Sequence, residues 1–96
     1  MTDARLQALE RLKAGHTFPG PFTFKAIGAN TSAFAQAVAQ SAVAVVGPGA
    51  HVAVASRQSE AGRHQAVTLQ VRVQSPEQVL EIYALLAGID GLKMVL

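Results

Sequence analysis

The amino-acid sequence predicts an α+β fold: a four-stranded antiparallel sheet with two helices on one face, behind an extra N-terminal helix. Three observations predict it. Val67, Leu69, Val71 and Val73 alternate with Thr68, Gln70, Arg72 and Gln74, the period of a strand buried on one side only. The period then changes at once. Ser75-Pro76-Glu77-Gln78 is a helix start, with Ser75 as N-cap, Pro76 at the first helical position and Gln78 closing a capping box, and Val79, Ile82, Tyr83 and Leu86 follow at helical spacing. Earlier in the chain the same switch occurs, from an alternating Phe22–Ile27 stretch to a helical stripe of Phe34, Val38, Ala42 and Val45.

Taken in order, Thr2 to Lys13 is a short helix with a narrow stripe of Leu6, Leu9 and Leu12. Helices of this length are marginal alone, so it must dock or fray. Gly15 to Pro21 is rich in breakers and forms a linker. Phe22 to Ile27 is the first strand, with Phe22, Phe24 and Ala26 on one face and Thr23, Lys25 and Ile27 on the other. Gly28-Ala29-Asn30 turns the chain, and Asn30 or Thr31 caps the next helix, which Gly47-Pro48-Gly49 stops. Ala50 to Arg57 is the second strand. A four-residue connection, Ser59-Glu60-Ala61-Gly62, pairs Val54 with Val67 and Val52 with Leu69, because a one-residue slip would turn the valines away from the core. Gly88 or Gly91 ends the second helix of the sandwich, and Leu92 to Leu96 is the last strand.

The order is βαββαβ, the split-βαβ or ferredoxin-like arrangement, and right-handed crossovers put both helices on one side. Strands one and three are central, and strand three is apolar on a single face because no helix covers the other. The expected division is 1–17 for the helix and linker and 18–96 for the ferredoxin-like domain.

Composition narrows the function. Ninety-six residues make one domain of ordinary small size. With no cysteine there is no disulfide framework, no thiolate metal site and no cysteine nucleophile, which suits a reducing cytoplasm. The apolar run Ala33–Val46 is broken by Gln36, Gln40 and Ser41 and is too short to span a membrane. Charged residues from Asp3 to Lys13 leave no room for a signal-peptide core. A net charge of +2 is mild, so placement matters more than sum.

The motifs Phe18-Pro19-Gly20-Pro21-Phe22-Thr23-Phe24-Lys25-Ala26-Ile27-Gly28, Arg57-x-Ser59-x-x-Gly62-Arg63, Ser75-x-Glu77-Gln78, Ile82-Tyr83 and Lys93-Met94-Val95-Leu96 resemble those of the YbeD-like family, small bacterial proteins of unknown function. The match runs from Phe18 to the end. His64 departs from it where an aromatic is usual, and Gly20 where a cysteine is common. The resemblance implies a ferredoxin-like fold related to ACT regulatory domains and a bacterial cytoplasmic setting. It carries no catalytic residue over to this chain.

Two candidate sites follow. By alternation the uncovered sheet face carries Lys25, His51, Arg57, Thr68, Gln70 and Arg72, with Lys93 joining from strand four. This is either a cationic surface for an acidic partner, an anionic ligand or a nucleic acid, or simply a solvated face. A nucleic-acid binder on such a sheet stacks bases on aromatics, and strand three offers none. The loop Gly28–Ser32 opens a helix and could attract an anion, and ACT domains, which the fold resembles, hold small ligands near the corresponding loop. Asn30, Thr31 and Ser32 are equally what any helix start needs.

Catalysis has no visible constellation. His16, His51 and His64 lie on separate elements without metal-ligand spacing, Asp3 and Asp90 sit at element ends, and no Arg follows the first strand as acylphosphatase-type chemistry would require. The expectation is a non-enzymatic regulatory or protein-interaction module needing no cofactor or metal. It acts on a protein partner or by self-association through the open face or the edge strand Ala50–Arg57, with Lys25, Gly28, Asn30, Thr31, Arg57, Arg72 and Lys93 as binding residues. A small-molecule ligand ranks second, and nucleic-acid binding through Lys25, Arg57 and Arg72 is the alternative.

Overall fold

A computed structural model describes residues 2–59 and 61–96. The chain runs α1 (Thr2–Gly15), β1 (Gly20–Ala29), α2 (Ser32–Val46), β2 (Val52–Gln58), β3 (His64–Val73), α3 (Pro76–Ala87) and β4 (Leu92–Val95). It is an α+β molecule: one four-stranded, wholly antiparallel sheet in the order β2-β3-β1-β4, and three helices.

Alternation decides which face is covered. Phe24 and Ala26 of β1 stand opposite Leu69 and Val67 of β3, and all four are buried. On that face they meet Phe34, Val38 and Ala42 of α2 and Val79, Ile82 and Leu86 of α3, which form one continuous core with Val71 and Val73. Both helices therefore pack on the same side of the sheet. Residues of the opposite phase, such as Lys25 and Gln70, stay in solvent.

Caps fix both helix starts. The Thr31 hydroxyl accepts from the Phe34 N–H at 3.1 Å, so Thr31 rather than Asn30 is the cap of α2. The Ser75 hydroxyl accepts from the Gln78 N–H at 3.4 Å. Gln78 reaches back one residue further than a capping box requires: its Oε1 accepts from the Gln74 N–H at 2.7 Å, not from Ser75.

The β2–β3 register differs from the expected one. Val54 pairs with Leu69 and Val52 with Val71, two positions from the Val67 and Leu69 partners that a Ser59–Gly62 connection would give. The Ser59 N–H donates to the His64 carbonyl at 2.9 Å, so pairing continues through Ser59 and the connection slides one residue toward the C-terminus. Gly62, at φ +70°, takes the left-handed position and donates to the Ser59 carbonyl. Glu60, part of the expected connection, lies outside the described residues. The shift is even, so every valine keeps the face that alternation gave it.

Strand β1 is longer than the Phe22–Ile27 stretch, beginning at Gly20 despite Pro21. Pro21 stands opposite Arg72 of β3, but its ring nitrogen faces the β4 side, where β4 pairs only with Ala26, Ile27 and Gly28. No ladder bond is lost there, so proline is tolerated. Helix α1 docks through Leu9, which is buried, and Leu12, which packs on the core, while Leu6 remains exposed. Beyond it His16 lies 4.7 Å from Phe22, whose neighbours Phe24 and Tyr83 complete an aromatic cluster.

Candidate functional site

The helix-free face is built by register. Across it Pro21, Thr23, Lys25 and Ile27 of β1 stand opposite Arg72, Gln70, Thr68 and Ala66 of β3. Beyond these, Ala53, Ala55 and Arg57 of β2 oppose Gln70, Thr68 and Ala66. Met94 of β4 stands beside Ile27, and Leu96 exchanges backbone hydrogen bonds with Lys25. Hence the face has an apolar floor of Ala53, Ala55, Ala66, Ile27, Met94 and Leu96. Met94 and Leu96 are among the most exposed large apolar side chains of the molecule, at 48% and 59%.

Of the cations expected here, Lys25 and Arg57 converge. They line one depression of about 240 Å³ with Ala55, Ala66 and Thr68. A second, of about 250 Å³, continues it along Ala53, Ala55, Thr68 and Gln70. Arg72 is on the same face but further along β3, beside Pro21, and borders neither. His51 precedes β2 and is exposed. Lys93 does not join the face by pairing. A bulge where β4 passes Ile27 and Gly28 leaves it without a partner in β1, and Met94 takes the position the alternation assigned to a cation. The apolar floor is thus the part that sequence reasoning missed. Its signal was the phase of Ala53, Ala55 and Ala66, which matches that of Lys25 once the strands are aligned.

The Gly28–Thr31 loop is engaged internally. Asn30 Nδ2 donates to the Gly62 carbonyl at 2.9 Å, tying β1 to the β2–β3 hairpin. Gln65 Nε2 donates to the carbonyls of Ala29 at 2.9 Å and Thr31 at 2.7 Å, and the Thr31 hydroxyl is committed to its cap. Gln65 was not singled out by sequence, although it stands in phase with Val67 and Leu69 and so on the core side, where it is buried. Gly28 belongs to β1 rather than to a turn; a Cβ there would collide with the ring of Phe34 and the carbonyl of Gly91. A cavity of about 520 Å³ opens nearby between Thr31, Phe34, Ala37 and the Gly88–Gly91 segment, and neither Gly28 nor Asn30 lines it. The loop is a latch between strands.

Among the described residues no three His, Cys, Asp or Glu side chains come together as metal ligands would, and no helix is long and apolar enough to cross a membrane. Tyr83 has its phenol pushed above the usual 10.0 by burial, and it serves the aromatic cluster on the helix side.

A small α+β domain with one bare, mixed-polarity sheet face is the class of protein these observations define. Residues 13–96 match the family described as "Protein of unknown function (DUF493)". Two "UPF0250 protein" relatives are similar over 82% of this chain and 88% of their own length: one from Shewanella sediminis (strain HAW-EB3), 39% identical, and one from Shewanella woodyi (strain ATCC 51908 / MS32), 40% identical. The chain belongs to this bacterial family, the YbeD-like proteins.

Proposed function

We propose that the domain is a small, non-catalytic regulatory or protein-interaction module of ferredoxin-like, ACT-like architecture, acting in the bacterial cytoplasm by docking a protein partner on the helix-free sheet face. The observation that carries this reading is the composition of that face. Small and apolar side chains form its floor, Lys25, Arg57 and Arg72 stand above it, and no position assigned to it by pairing holds an Asp or Glu side chain. Exposed apolar surface gains free energy on being covered at roughly 25 cal/mol per Å², and cations around it steer an acidic partner into register. The polar side chains of the Gly28–Thr31 loop are already bonded within the chain, which supports a mechanical rather than a catalytic part for them.

A photo-crosslinking residue at Gln70, in the centre of the face, tests this against one at Glu81 on the exposed side of α3. Discrete protein adducts in host cells from position 70, abolished by Ala55→Glu and not seen from position 81, are expected. Identical adducts from both positions would overturn the reading.

The convergence of Lys25 and Arg57 on one depression favours a second reading, an anionic ligand or nucleic acid held by charge. Such binding weakens steeply with salt. Retention on immobilised nucleic acid that survives Lys25→Glu with Arg57→Glu would sink it.

A further inference from the structure

We infer that the helix-free face is an oblique trough for an amphipathic α-helix of a different protein, about three turns long, with acidic side chains on both flanks of its apolar stripe. The inference rests on the reading of this face as a docking surface and names the shape and charge of what docks there. Stepping to the neighbouring strand and two residues along sorts the face into rows. Ala53, Thr68 and Ile27 form one row, and Ala55 and Ala66 the row beside it. All but Ala55 are half-buried. Longer, exposed side chains wall them in: Arg57 on one side, and on the other the row of Gln70, Lys25 and Met94. The two depressions of about 250 and 240 Å³ are successive stretches of this trough, and the second reaches from Lys25 to Arg57 over Ala55, Ala66 and Thr68. From Ala53 to Ile27 the trough runs about 16 Å, at roughly 35° to the strands.

The floor decides the backbone of the occupant. Strand β3, under the middle of the trough, is paired on both sides. An extended segment laid across it finds no backbone partner, and unpaired backbone groups pressed on an apolar floor are costly. A helix bonds its own backbone and presents side chains alone. At about 1.5 Å per residue, roughly 11 residues cover the trough. Large apolar side chains at helical spacing fill the space that alanine and threonine leave. The walls decide the charge. The Cα positions of Lys25 and Arg57 lie about 12 Å apart across the trough, which matches a helix diameter of about 10–12 Å. Each cation therefore meets a different flank, and both flanks are acidic if neither cation is to go unpaired. The chain's own helices do not fit. Helix α1 mixes Asp3 and Glu10 with Arg5, Arg11 and Lys13, and α3 already has its apolar stripe in the core. The occupant belongs to another protein.

Peptides stapled into a helix of about three turns test this on the native chain. One carries a leucine stripe with Glu on both flanks; two others have Gln in place of Glu on one flank or the other. Fluorescence anisotropy should show the doubly acidic peptide binding about tenfold tighter than either singly acidic one. Its amide shift changes should centre on Ala53, Ala55, Ala66 and Thr68. Arg57→Glu should weaken binding, and Lys on one flank of the peptide should restore it. Equal binding of doubly and singly acidic peptides, no binding by any of them, or shift changes centred on the helix side would each overturn the inference. So would tighter binding of a random single-stranded oligonucleotide, which would assign both cations to phosphate. The peptide comparison needs no variant, so it decides even if Arg57→Glu does not fold. Adducts from Gln70 that persist where the peptides fail would leave docking on the face standing and remove the helix alone, so the two readings fail separately.

Discussion

At Gly28 a Cβ would run into the Phe34 ring and the Gly91 carbonyl, one fixed in the core and the other in backbone. Neither can yield cheaply, so Gly28→Ala should cost about 1–3 kcal/mol as an overpacked site. Gly15→Ala, with nothing within 4 Å, should cost nothing; urea denaturation of the two variants checks the contrast. Tyr83 supplies a second residue-scale test. Burial raises its pKa in the folded chain above 10.0. The folded state therefore keeps a proton that the unfolded state loses, so the contribution is fully present below about pH 10 and disappears as pH rises through the folded value. As the chain has one Tyr and no Trp, phenolate absorbance should show a midpoint above 10 for the native protein and near 10 in denaturant. Tyr83→Phe should flatten the alkaline loss of stability. A native midpoint at or below 10 would contradict the burial. Sequence placed Gly28 in a turn, whereas it is a strand residue; the reason for glycine was not legible, because the neighbours that forbid a side chain are brought up by α2 and by the segment before β4. Gln65 was hidden for a related reason: the partners that justify a buried amide are carbonyls more than thirty residues away.

Strand β3 shows how far one element can be read from its own pattern. Its alternation named the buried row correctly, because a central strand with one covered face must alternate. Leu69→Ala should cost about 2–5 kcal/mol as a buried cavity, and Gln70→Ala, on the bare face, under about 0.5 kcal/mol. Equal losses on denaturation would mean the facing is wrong. The partner of that strand was less legible. Alternation fixes only whether pairing is in or out of phase, and the even shift between expected and actual β2–β3 registers leaves phase untouched. What decided the register was the turn, where Gly62 takes the left-handed position and Ser59 still pairs. The cap of α3 was legible for the opposite reason, that it is local. Ser75→Ala removes the acceptor for the Gln78 N–H and should lower stability by about 0.5–2 kcal/mol, read as a fall in thermal midpoint.

Over the whole molecule, the helix layer mixes both signs, with Arg5, Arg11 and Lys13 on α1, while the charged side chains that pairing places on the bare sheet face are all cationic. Asp3 and Glu10 lie on α1, Glu77 and Glu81 on α3 and Asp90 just after it, whereas the bare sheet face bears Lys25, Arg57 and Arg72. A mild net charge thus conceals a polar molecule with a basic side, which is why composition alone said little about partners. The leading helix poses the remaining question of scale, whether it is part of the cooperative unit. It buries Leu9, packs Leu12 on the core and, through His16, adjoins the Phe22–Tyr83 cluster, yet leaves Leu6 half in solvent. Full burial of one leucine stabilises by about 1.5–3 kcal/mol, from which the ordering of a short helix subtracts. Removal of residues 1–15 should therefore leave a chain that folds with the same sheet and a modestly lower thermal midpoint. Leu9→Ala in the full chain should reproduce most of that drop. Amide exchange should report α1 as the least protected helix, opening without the rest. If instead the shortened chain fails to fold, α1 belongs to the core unit, and the division after residue 17 that the linker suggests has no energetic meaning.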